Sequence, residues 1–366
     1  ITTLFRSDYS EHFEPSQRKS TWLSREAKNN GLSFFHSWQW VETWLHIYKP
    51  EILLVSAKHE DKIVALGLFG KSQETRRHII KSNQVRLFQT GNSQEDQIWV
   101  EFNDFLCHPD HLEEATKACL NALFSQKYLC DEIVISMILE SRAELLLKNF
   151  NHTCVDLSTP TFKTDLQQLS IIKGSYLDSL SRNTRYQINH SKKKYEALYG
   201  ELQLSFAKNC KQALQYWDEA GELHIKRWHD SGFKNQKFIA FHSEFIKNNF
   251  DYGLIDVVKI TAGNHLMAII YNVKYKENVY FYLQGLQQEA DGKLKPGLIA
   301  HSMLIEHYLK QGMNSYNFMG GYSQYKKQLS QSVDNLLIVK IQKPLLKFRL
   351  ENIARSIKQK TKNILT

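Results

Sequence analysis

The chain has 366 residues, of which 42% are hydrophobic and 12% aromatic, so it can build a full core and is not disordered. Its 16 glycines and 6 prolines exclude collagen-like and Pro-rich architectures. The length suits two domains, and no apolar run is long enough to cross a bilayer.

Positive charge is concentrated in the second half of the chain. Residues 1–160 carry 17 basic and 21 acidic side chains, which gives −4. Residues 161–366 carry the other 30 of 47 basic and 17 of 38 acidic side chains, which gives +13. This split indicates an anionic partner for the second half, such as a phosphate-bearing cofactor, a nucleic acid or a membrane surface. An ordinary solvated basic surface explains the same numbers.

The cysteines indicate a reducing compartment. There are five of them, an odd number, and no two form a Cys-x-x-Cys pair. This pattern favours free cytosolic thiols over a disulfide framework or a zinc site. Residues Ile1–Ser10 lack the positive-then-apolar pattern of a secretory signal, so we expect a cytoplasmic protein.

In chain order, the first half mixes helices with hairpins. Apolar spacing predicts a helix over residues 38–48, and two strand-like runs, Ile52–Lys58 and Ile63–Phe69, flank a polar turn. Three further elements follow: a strand at Val85–Gln89, a helix at Leu112–Gln126 and a buried strand at Ile133–Leu139.

The second half begins with a connector after Pro160. Ser175 is then predicted to cap a long basic helix that reaches Tyr199 and ends at Gly200. The remaining predicted elements are a helix at Tyr216–His229, a hairpin of Leu254–Ile260 with His265–Val273, a strand at Val279–Leu283, a helix at Gly297–Gln311 and a short strand at Tyr316–Phe318. The fold class is therefore α+β.

A weak internal repeat suggests a duplicated unit. Both halves contain a strand–turn–strand unit, with Ala65 matching Ala268 at an offset of 203 residues. Both also contain a strand that ends in glycine, Gly91 and Gly285, at an offset of 194. A repeat of roughly 160–200 residues fits the usual domain size, although amphipathic hairpins also resemble one another by chance.

The segment from Val279 to Gly297 has the features of an anion site. A strand ends near Gly285, a loop carries Lys293 and Lys295, and Pro296-Gly297 opens a helix. The first amides of a helix have no internal partner and, with the helix dipole, favour phosphate. Proline is tolerated at the first turn, and glycine allows a pyrophosphate to approach the backbone. The competing interpretation is an ordinary amphipathic helix packed on a sheet.

The order of several motifs resembles a known family. They are Phe34-Phe35 to Trp44, the basic helix from Leu180 through Arg185 to Lys194, the helix Glu222–Trp228, and Pro296-Gly297 followed by a long helix, a short strand, Gly320-Gly321 and Tyr325-Lys326-Lys327. This succession resembles the GNAT-fold acetyltransferases first linked to bacterial cellulose biosynthesis, which are structurally related to the Fem-type aminoacyltransferases of peptidoglycan assembly.

The resemblance implies an α+β fold with two tandem GNAT-like domains, each a mixed central sheet flanked by helices. We place an N-terminal degenerate domain at 1–160, an acyltransferase domain at 161–340 and a basic amphipathic helix at 341–366. The resemblance also implies direct acyl transfer, without a covalent enzyme intermediate and without a metal, from acetyl-CoA or another acyl-CoA. The acceptor would be an amine or hydroxyl of a sugar or polysaccharide precursor or of a small molecule.

One departure leaves the donor open. The Arg/Gln-x-x-Gly-x-Gly/Ala loop of ordinary GNAT enzymes is absent, and only Lys295-Pro296-Gly297 stands in its place. The donor is therefore acyl-CoA, an acyl-carrier protein or an aminoacyl-tRNA. By the resemblance, the donor-binding residues are Gln284, Gly285, Lys293, Lys295, Pro296, Gly297, Leu298 and Lys326.

The chemistry needs a proton acceptor for the nucleophile and a proton donor for the departing thiol. His224 is the first candidate for the base, because neutral imidazole suits pH 7. Glu289 and Asp256 are the carboxylate alternatives. Tyr325 is the candidate acid, ahead of Tyr322. The competing interpretations are a packed helix histidine for His224 and an exposed basic turn for residues 325–327.

Basic helices supply the remaining predicted contacts. Arg182, Arg185 and Lys192–Lys194 share one side of a helix and, with Arg227 and Trp228, are candidates for holding an anionic acceptor, a carrier protein or a tRNA. A solvated helix face is the alternative. Residues 343–362 mix lysine and arginine with leucine and isoleucine, which fits peripheral contact with an anionic inner-membrane face or packing on the protein.

Other chemistries have no support in the sequence. The motifs HExxH, GxSxG, GxxxxGK[ST] and GxGxxG are absent, and His301 and His307 have a poor spacing for a metal on a helix. Three functions thus remain: an acyl-CoA-dependent acyltransferase, a Fem-like aminoacyl-tRNA-dependent transferase, and a non-catalytic GNAT-fold protein that binds a carrier protein or membrane. The sequence does not indicate the oligomeric state.

Overall fold

The computed structural model of the chain describes residues 5–11, 14–76, 80–171 and 175–351. Its strands are β1 Arg6–Ser10, β2 Ile52–His59, β3 Lys62–Arg76, β4 Ile80–Leu87, β5 Leu106–Cys107, β6 Glu132–Leu139, β7 Thr153–Asp165, β8 Leu202–Phe206, β9 Ile255–Ala262, β10 His265–Tyr275, β11 Asn278–Leu286, β12 Ser315–Gly320 and β13 Ser332–Gln342. Its helices are α1 Pro15–Lys28, α2 Trp38–Tyr48, α3 Leu112–Ser125, α4 Glu140–Asn149, α5 Leu166–Ile171, α6 Arg182–Tyr199, α7 Cys210–Arg227, α8 Gln236–Asn249, α9 Pro296–Lys310 and α10 Gln324–Leu329.

Contacts between residues divide the chain into two compact units. The first unit contains residues 1–38, 49–158 and 336–366, and the second contains residues 39–48 and 159–335. Each unit therefore includes a piece of chain from the other half of the sequence. The domain limits at 160 and 340 stay predictions, since residues 39–48 pack with the second unit.

The first unit contains a mixed sheet. Strands β1 to β4 pair antiparallel in sequence order, β4 pairs in parallel with β6, and β6 pairs antiparallel with β13. A parallel pair needs a crossover connection, and α3 lies in the chain between β4 and β6.

The second unit contains a sheet with the same order and directions. Strands β8 to β11 pair antiparallel, β11 pairs in parallel with β12, and β12 pairs antiparallel with β7. Helix α9 is the crossover between β11 and β12. The core on its inner side includes Leu298, Leu304 and Tyr308 from α9, packed with Ile270 and Phe281 of the sheet.

Matching irregularities support the duplication. The register of the β2–β3 hairpin shifts between Ala65 and Ile63, and that of the β9–β10 hairpin shifts between Ala268 and Leu266. These positions are 203 residues apart, as the sequence repeat predicted. Residues Met137 in β6 and Met319 in β12 both have positive φ, 57° and 63°, inside equivalent bulges. Bulges are specific features of a fold, so their recurrence indicates one duplicated unit.

Two local predictions were wrong. The connector expected after Pro160 is part of β7, whose Thr161–Asp165 pairs with β12 while the Pro160 carbonyl accepts from the Gly321 amide. Ser175 does not cap the long helix. It forms a capping box with Asp178 over a short 3-10 turn, and Ser181 caps α6 by accepting from the Thr184 amide.

The predicted C-terminal helix is described only in part. Residues 341–342 end β13, and residues 346–351 are helical. Residues 352–366 lie outside the described residues. No helix among the residues described is long and apolar enough to span a membrane.

Candidate active site

A large cavity lies in the second unit where β11 and β12 separate. The two strands pair over residues 278–280 and 315–317 among the residues described, and β12 then bulges at Met319 while β11 continues to Leu286. The cavity has a volume of about 1080 Å³. Its lining residues are Asn183, Gln187, Arg227, Trp228, Phe281, Gln284, Leu286, Gln287, Gln288, Glu289, Leu294, Lys295, Pro296, Gly297, Leu298, Gly321, Tyr322, Ser323, Gln324, Tyr325, Lys326 and Gln328.

The start of α9 forms one wall of this cavity. Pro296 occupies the first helical turn, and the amide of Lys295 donates to the Ser191 hydroxyl at 2.8 Å, which fixes the loop on α6. A Cβ added to Gly297 would lie 3.2 Å from Leu286, so a side chain here would crowd the neighbouring strand. First-turn amides of a helix lack intrahelical partners, so this wall suits an anion.

The cavity wall is mainly basic and amide-rich. The lining residues include three basic side chains, Arg227, Lys295 and Lys326, and one carboxylate, Glu289. The Glu289 carboxylate accepts from the Tyr195 hydroxyl at 3.0 Å and contacts His265 Nε2 at 2.8 Å. These contacts fix the carboxylate at the cavity wall.

Tyr325 lies at the inner end of the cavity in a network of buried polar groups. Its ring stacks on His301 with centroids 5.1 Å apart and an interplanar angle of 8°. Gln284 Nε2 donates to the Tyr325 hydroxyl at 3.3 Å. His301 Nε2 lies 3.1 Å from Gln284 Oε1, and His301 Nδ1 lies 2.9 Å from the Tyr316 hydroxyl.

Burial sets the protonation of this network. It lowers the pKa of the fully buried His301 imidazole to about 3, and Lys326 adds to the effect, so the ring is neutral near pH 7. Burial also raises the pKa of the Tyr325 hydroxyl, although Ser323 and Gln284 oppose the rise. Tyr325 is therefore a protonated donor at neutral pH.

The structure brings most of the predicted residues together. Those that line the cavity are Gln284, Glu289, Lys295, Pro296, Gly297, Leu298, Tyr325, Lys326, Arg227 and Trp228. Tyr322, the less favoured acid, also lines it and is 62% exposed.

Several predicted residues do not line this cavity. The Nδ1 atom of His224 lies 2.8 Å from the Ser231 hydroxyl, and burial together with Arg227 lowers the pKa of the imidazole to about 4. Gly285 faces α7, where an added Cβ would lie 2.6 Å from the Ala220 carbonyl oxygen. Lys293 is exposed on the loop, Arg182 is exposed on α6, and Arg185 donates to the Asp178 carbonyl at 3.0 Å.

Other predicted groups have structural partners. Lys192 is within 3.9 Å of Glu196, and Lys194 pairs with Asp291. Asp256, the second carboxylate alternative, pairs with Lys274 at 3.1 Å and is not a lining residue. Among the residues described, no group of histidine, cysteine, aspartate or glutamate is arranged to hold a metal ion.

Sequence reasoning missed His301 because it was considered only as a metal ligand. The available signal was its position in α9, where one polar ring stands among Leu298, Ile299, Ala300 and Leu304. A buried polar side chain on the apolar face of a helix needs hydrogen-bond partners. Asn183 and Gln187 were also missed, since only the basic residues of α6 were considered.

Comparisons with known proteins agree with this geometry. Residues 182–327 match the sequence model of the acetyltransferase (GNAT) domain, and this segment contains all the lining residues except Gln328. No curated protein matches the chain significantly.

Solved structures resemble the chain over nearly its whole length. FemX has a TM-score of 0.59 at 9% identity, covering 94% of this chain and 99% of that one. The C-terminal domain of a putative lysylphosphatidylglycerol synthetase from Agrobacterium fabrum has a TM-score of 0.55 at 9% identity, covering 93% and 97%. A tandem GNAT protein from the clavulanic acid biosynthesis pathway has a TM-score of 0.50 at 9% identity, covering 92% and 98%. The fold is thus α+β with two tandem GNAT-like units, as predicted.

Proposed function

We propose that the second unit is an acyltransferase that takes an acyl group, with acetyl as the first candidate, from a CoA thioester. The observation that carries this proposal is the separation of β11 from β12 beside the start of α9, which opens the cavity. The exposed edge of β11 would hold the pantetheine arm by backbone hydrogen bonds. Lys295 and the first amides of α9 would hold the pyrophosphate.

The acceptor would bind in the outer, amide-rich part of the cavity. Seven lining residues are carboxamides, namely Asn183, Gln187, Gln284, Gln287, Gln288, Gln324 and Gln328. Carboxamides both donate and accept hydrogen bonds, so they suit a hydroxylated acceptor such as a sugar or polysaccharide precursor. Trp228, 53% exposed with the Arg227 guanidinium 5.7 Å above its ring, would cover an apolar face of that acceptor.

Different residues of the cavity would then carry out the steps of the reaction. An acceptor amine or hydroxyl attacks the thioester carbon and passes its proton to Glu289. The C–S bond breaks, and the departing sulfur takes the hydroxyl proton of Tyr325. Tyr325 regains a proton from solvent. The backbone amides of β11 near Gln284 would stabilise the developing oxyanion.

Ligand-induced stabilisation of the full chain tests the donor site. CoA and acetyl-CoA should raise the melting temperature, because a ligand that binds only the folded state stabilises by about 2.7 kcal/mol at 100 times its Kd. Lys295→Glu should abolish the shift, since it puts a negative charge on the pyrophosphate wall. Lys293→Glu is the matched control, because Lys293 lies on the same loop outside the cavity lining.

A lost shift in both variants would show only a general effect of loop charge, and a retained shift in Lys295→Glu would place the donor elsewhere. Turnover is measured by the release of CoA thiol from acetyl-CoA with a panel of amines and hydroxylated acceptors. Donor binding with no turnover on any acceptor would favour a non-catalytic carrier-binding protein.

A second candidate is transfer from aminoacyl-tRNA, as the Fem-type resemblance implies. The observation that favours it is an exposed stripe on α6, formed by Arg182, Tyr186, His190 and Lys193. Tyr186 is 65% exposed and its ring lies 5.7 Å from that of His190. Aromatic side chains among basic ones are typical of surfaces that bind single-stranded nucleic acid ends.

Filter binding of aminoacyl-tRNA at 50 and 200 mM salt tests this candidate. Binding should weaken steeply with salt, and Tyr186→Ala should reduce it. Tyr252→Ala is the control, since Tyr252 is 79% exposed and is not a lining residue of the cavity. Salt-insensitive or absent binding would exclude the tRNA donor.

A further inference from the structure

A chain of hydrogen-bonded polar side chains leads from the interior of the second unit to the cavity. Its members are Tyr316, His301, Gln284 and Tyr325. The side chains of Tyr316 and His301 are completely buried.

Three contacts join these side chains in order. The Tyr316 hydroxyl lies 2.9 Å from His301 Nδ1. His301 Nε2 lies 3.1 Å from Gln284 Oε1, and Gln284 Nε2 lies 3.3 Å from the Tyr325 hydroxyl.

The Gln284 amide gives this chain one direction. An amide oxygen only accepts hydrogen bonds, so His301 Nε2 must donate to Gln284 Oε1. A neutral imidazole with its proton at Nε2 accepts at Nδ1, so the Tyr316 hydroxyl donates to His301 Nδ1.

The same logic reaches Tyr325. His301 Nε2–H donates to Gln284 Oε1, which turns the Gln284 amide group towards Tyr325. The Tyr325 oxygen accepts from that amide, so its own hydrogen is directed into the cavity. If donors and acceptors were exchanged along the chain, the Tyr325 hydroxyl would donate to Gln284 and would not be available to a ligand.

We propose that His301 is a positioning residue, held as the Nε2–H tautomer by Gln284 and Tyr316, and that it presents the Tyr325 hydroxyl to the cavity as a hydrogen-bond donor. The catalytic meaning of this arrangement rests on the proposed function, in which Tyr325 protonates the departing sulfur. The direction of the chain does not rest on it and can be measured separately.

The tautomer is measured by NMR of the full chain with ¹⁵N-labelled histidine, the His301 signals being assigned by their loss in His301→Phe. The wild type should show a pyridine-like Nδ1 and a pyrrole-like Nε2. Gln284→Leu removes the acceptor for Nε2–H at similar volume and should give a mixture of tautomers. Asn249→Leu, at a buried asparagine of the same unit whose side chain bonds only to the Phe245 carbonyl among the contacts described, should leave the signals unchanged.

Kinetics test the consequence for Tyr325. With acetyl-CoA as donor, His301→Phe should lower kcat by about 10- to 100-fold with KM and the CoA-induced thermal shift unchanged, the range expected for a misplaced proton donor. His301→Gln should recover part of kcat because its amide N–H can replace Nε2–H. His307→Phe, on the same helix where the ring stacks on Phe206 outside the cavity, should be near wild type.

The outcomes separate the two proposals. A wild-type Nδ1–H tautomer, or a single unchanged tautomer in Gln284→Leu, would overturn the directed chain whatever the activity. An intact Nε2–H tautomer with equal losses in His301→Phe and His301→Gln would also overturn the positioning role. A wild type that neither binds CoA nor turns over acetyl-CoA would remove the proposed function, while the NMR result still decides the direction of the chain.

Discussion

Two tyrosines of the same short segment have different surroundings. Tyr322 is 62% exposed at the mouth of the cavity, whereas Tyr325 stacks on His301 and is hydrogen-bonded to Gln284. A proton donor must be held at one position, because misplacement by even an ångström reduces proton transfer strongly. The preference for Tyr325 over Tyr322, made from the sequence, therefore has a geometric reason.

Replacing Tyr325 should separate chemistry from binding. Tyr325→Phe keeps the ring on His301 but removes the hydroxyl, so we expect kcat for acetyl-CoA to fall by roughly 100-fold with KM changed little. Tyr322→Phe is the control and should keep at least half of the activity. Equal losses in the two variants would assign the effect to the loop rather than to the Tyr325 hydroxyl. Steady-state kinetics measure both.

Gly285 has a packing role rather than a place at the cavity. An added Cβ would lie 2.6 Å from the Ala220 carbonyl oxygen and 2.8 Å from the Ala220 Cα atom, and backbone cannot move aside as a flexible side chain can. Gly285→Ala should therefore lower the free energy of unfolding by roughly 1–3 kcal/mol.

The control for that change is Gly292→Ala, because an added Cβ there has no neighbour within 4 Å. Its effect should stay within about 0.5 kcal/mol. Urea unfolding of both variants gives the comparison. A wild-type stability for Gly285→Ala would show that β11 and α7 can separate without cost.

The sequence indicated the cavity residues at the start of α9 better than the hydrogen-bonded residues around Tyr325. Lys295, Pro296 and Gly297 are adjacent in the chain, so their joint meaning depends on local helix geometry. His301, Gln284 and Tyr325 come from three elements and meet only through the packing of α9 and α10 on the sheet. Nothing in the spacing of His224 showed that its ring would be bound to Ser231 instead of lining the cavity.

Local signals predicted several elements, whereas two strands with distant partners were missed. The helix at 38–48 and the hairpins of β2 with β3 and β9 with β10 contain their own periodicity and turns, and all three were confirmed. Strands β7 and β13 were missed. Residues 336–342 of β13 pair with β6, about 200 residues earlier, so no local signal identifies the partner. Pro160 also marked β7 as a connector, although its missing N–H is tolerated in that strand.

Strands β3, β4, β6 and β13 of the first unit share a buried charged cluster centred on Glu132. The Glu132 side chain is fully buried and accepts from Arg76 at 2.6 Å, Ser82 at 2.6 Å, Gln84 at 2.7 Å and Gln342 at 3.0 Å. Burial acts to raise the pKa of this carboxyl, but the four hydrogen bonds outweigh it and lower the pKa to about 2.

Stability should therefore depend on pH through Glu132. A carboxyl whose pKa is lower in the folded state than in the unfolded state, about 4.3, stabilises the fold above that value. The contribution is lost as pH falls from about 5 towards 2, where the folded state must take up a proton. Melting temperatures between pH 7 and pH 3 should fall, and Glu132→Gln should be less stable at pH 7 with a flatter decline. Parallel curves for the two proteins would contradict this.

At the scale of the whole molecule, one fold occurs twice with different contents. The first unit is completed by β13 from the second half of the sequence, and the second unit includes residues 39–48 from the first half. In the second unit, Ala268 pairs with Leu286 of β11. At the equivalent position of the first unit, Ala65 pairs with Cys107 of the inserted strand β5.

The segment that contains Asn103 and β5 fills the place equivalent to that of the proposed donor groove in the second unit. The amide of Asn103 donates to the Met137 carbonyl of β6 at 3.1 Å, and its Nδ2 donates to the Leu87 carbonyl at the end of β4 at 2.8 Å. Asn103 is fully buried. A pantetheine arm would need these same backbone groups, so the described part of the first unit offers no equivalent groove.

The chain should therefore bind one donor rather than two. Isothermal titration of the full chain with CoA should give a stoichiometry near one, with a single class of site. Lys295→Glu should remove this binding completely, because no second groove remains to take the ligand, whereas Lys293→Glu should keep it. Two sites, or half of the binding retained in Lys295→Glu, would show that the segment around Asn103 moves aside and that the first unit is also a donor site. Asn103→Ala tests directly whether this segment can move aside. It removes the side-chain bond to the Leu87 carbonyl but keeps the backbone bond to the Met137 carbonyl, so we expect no second site.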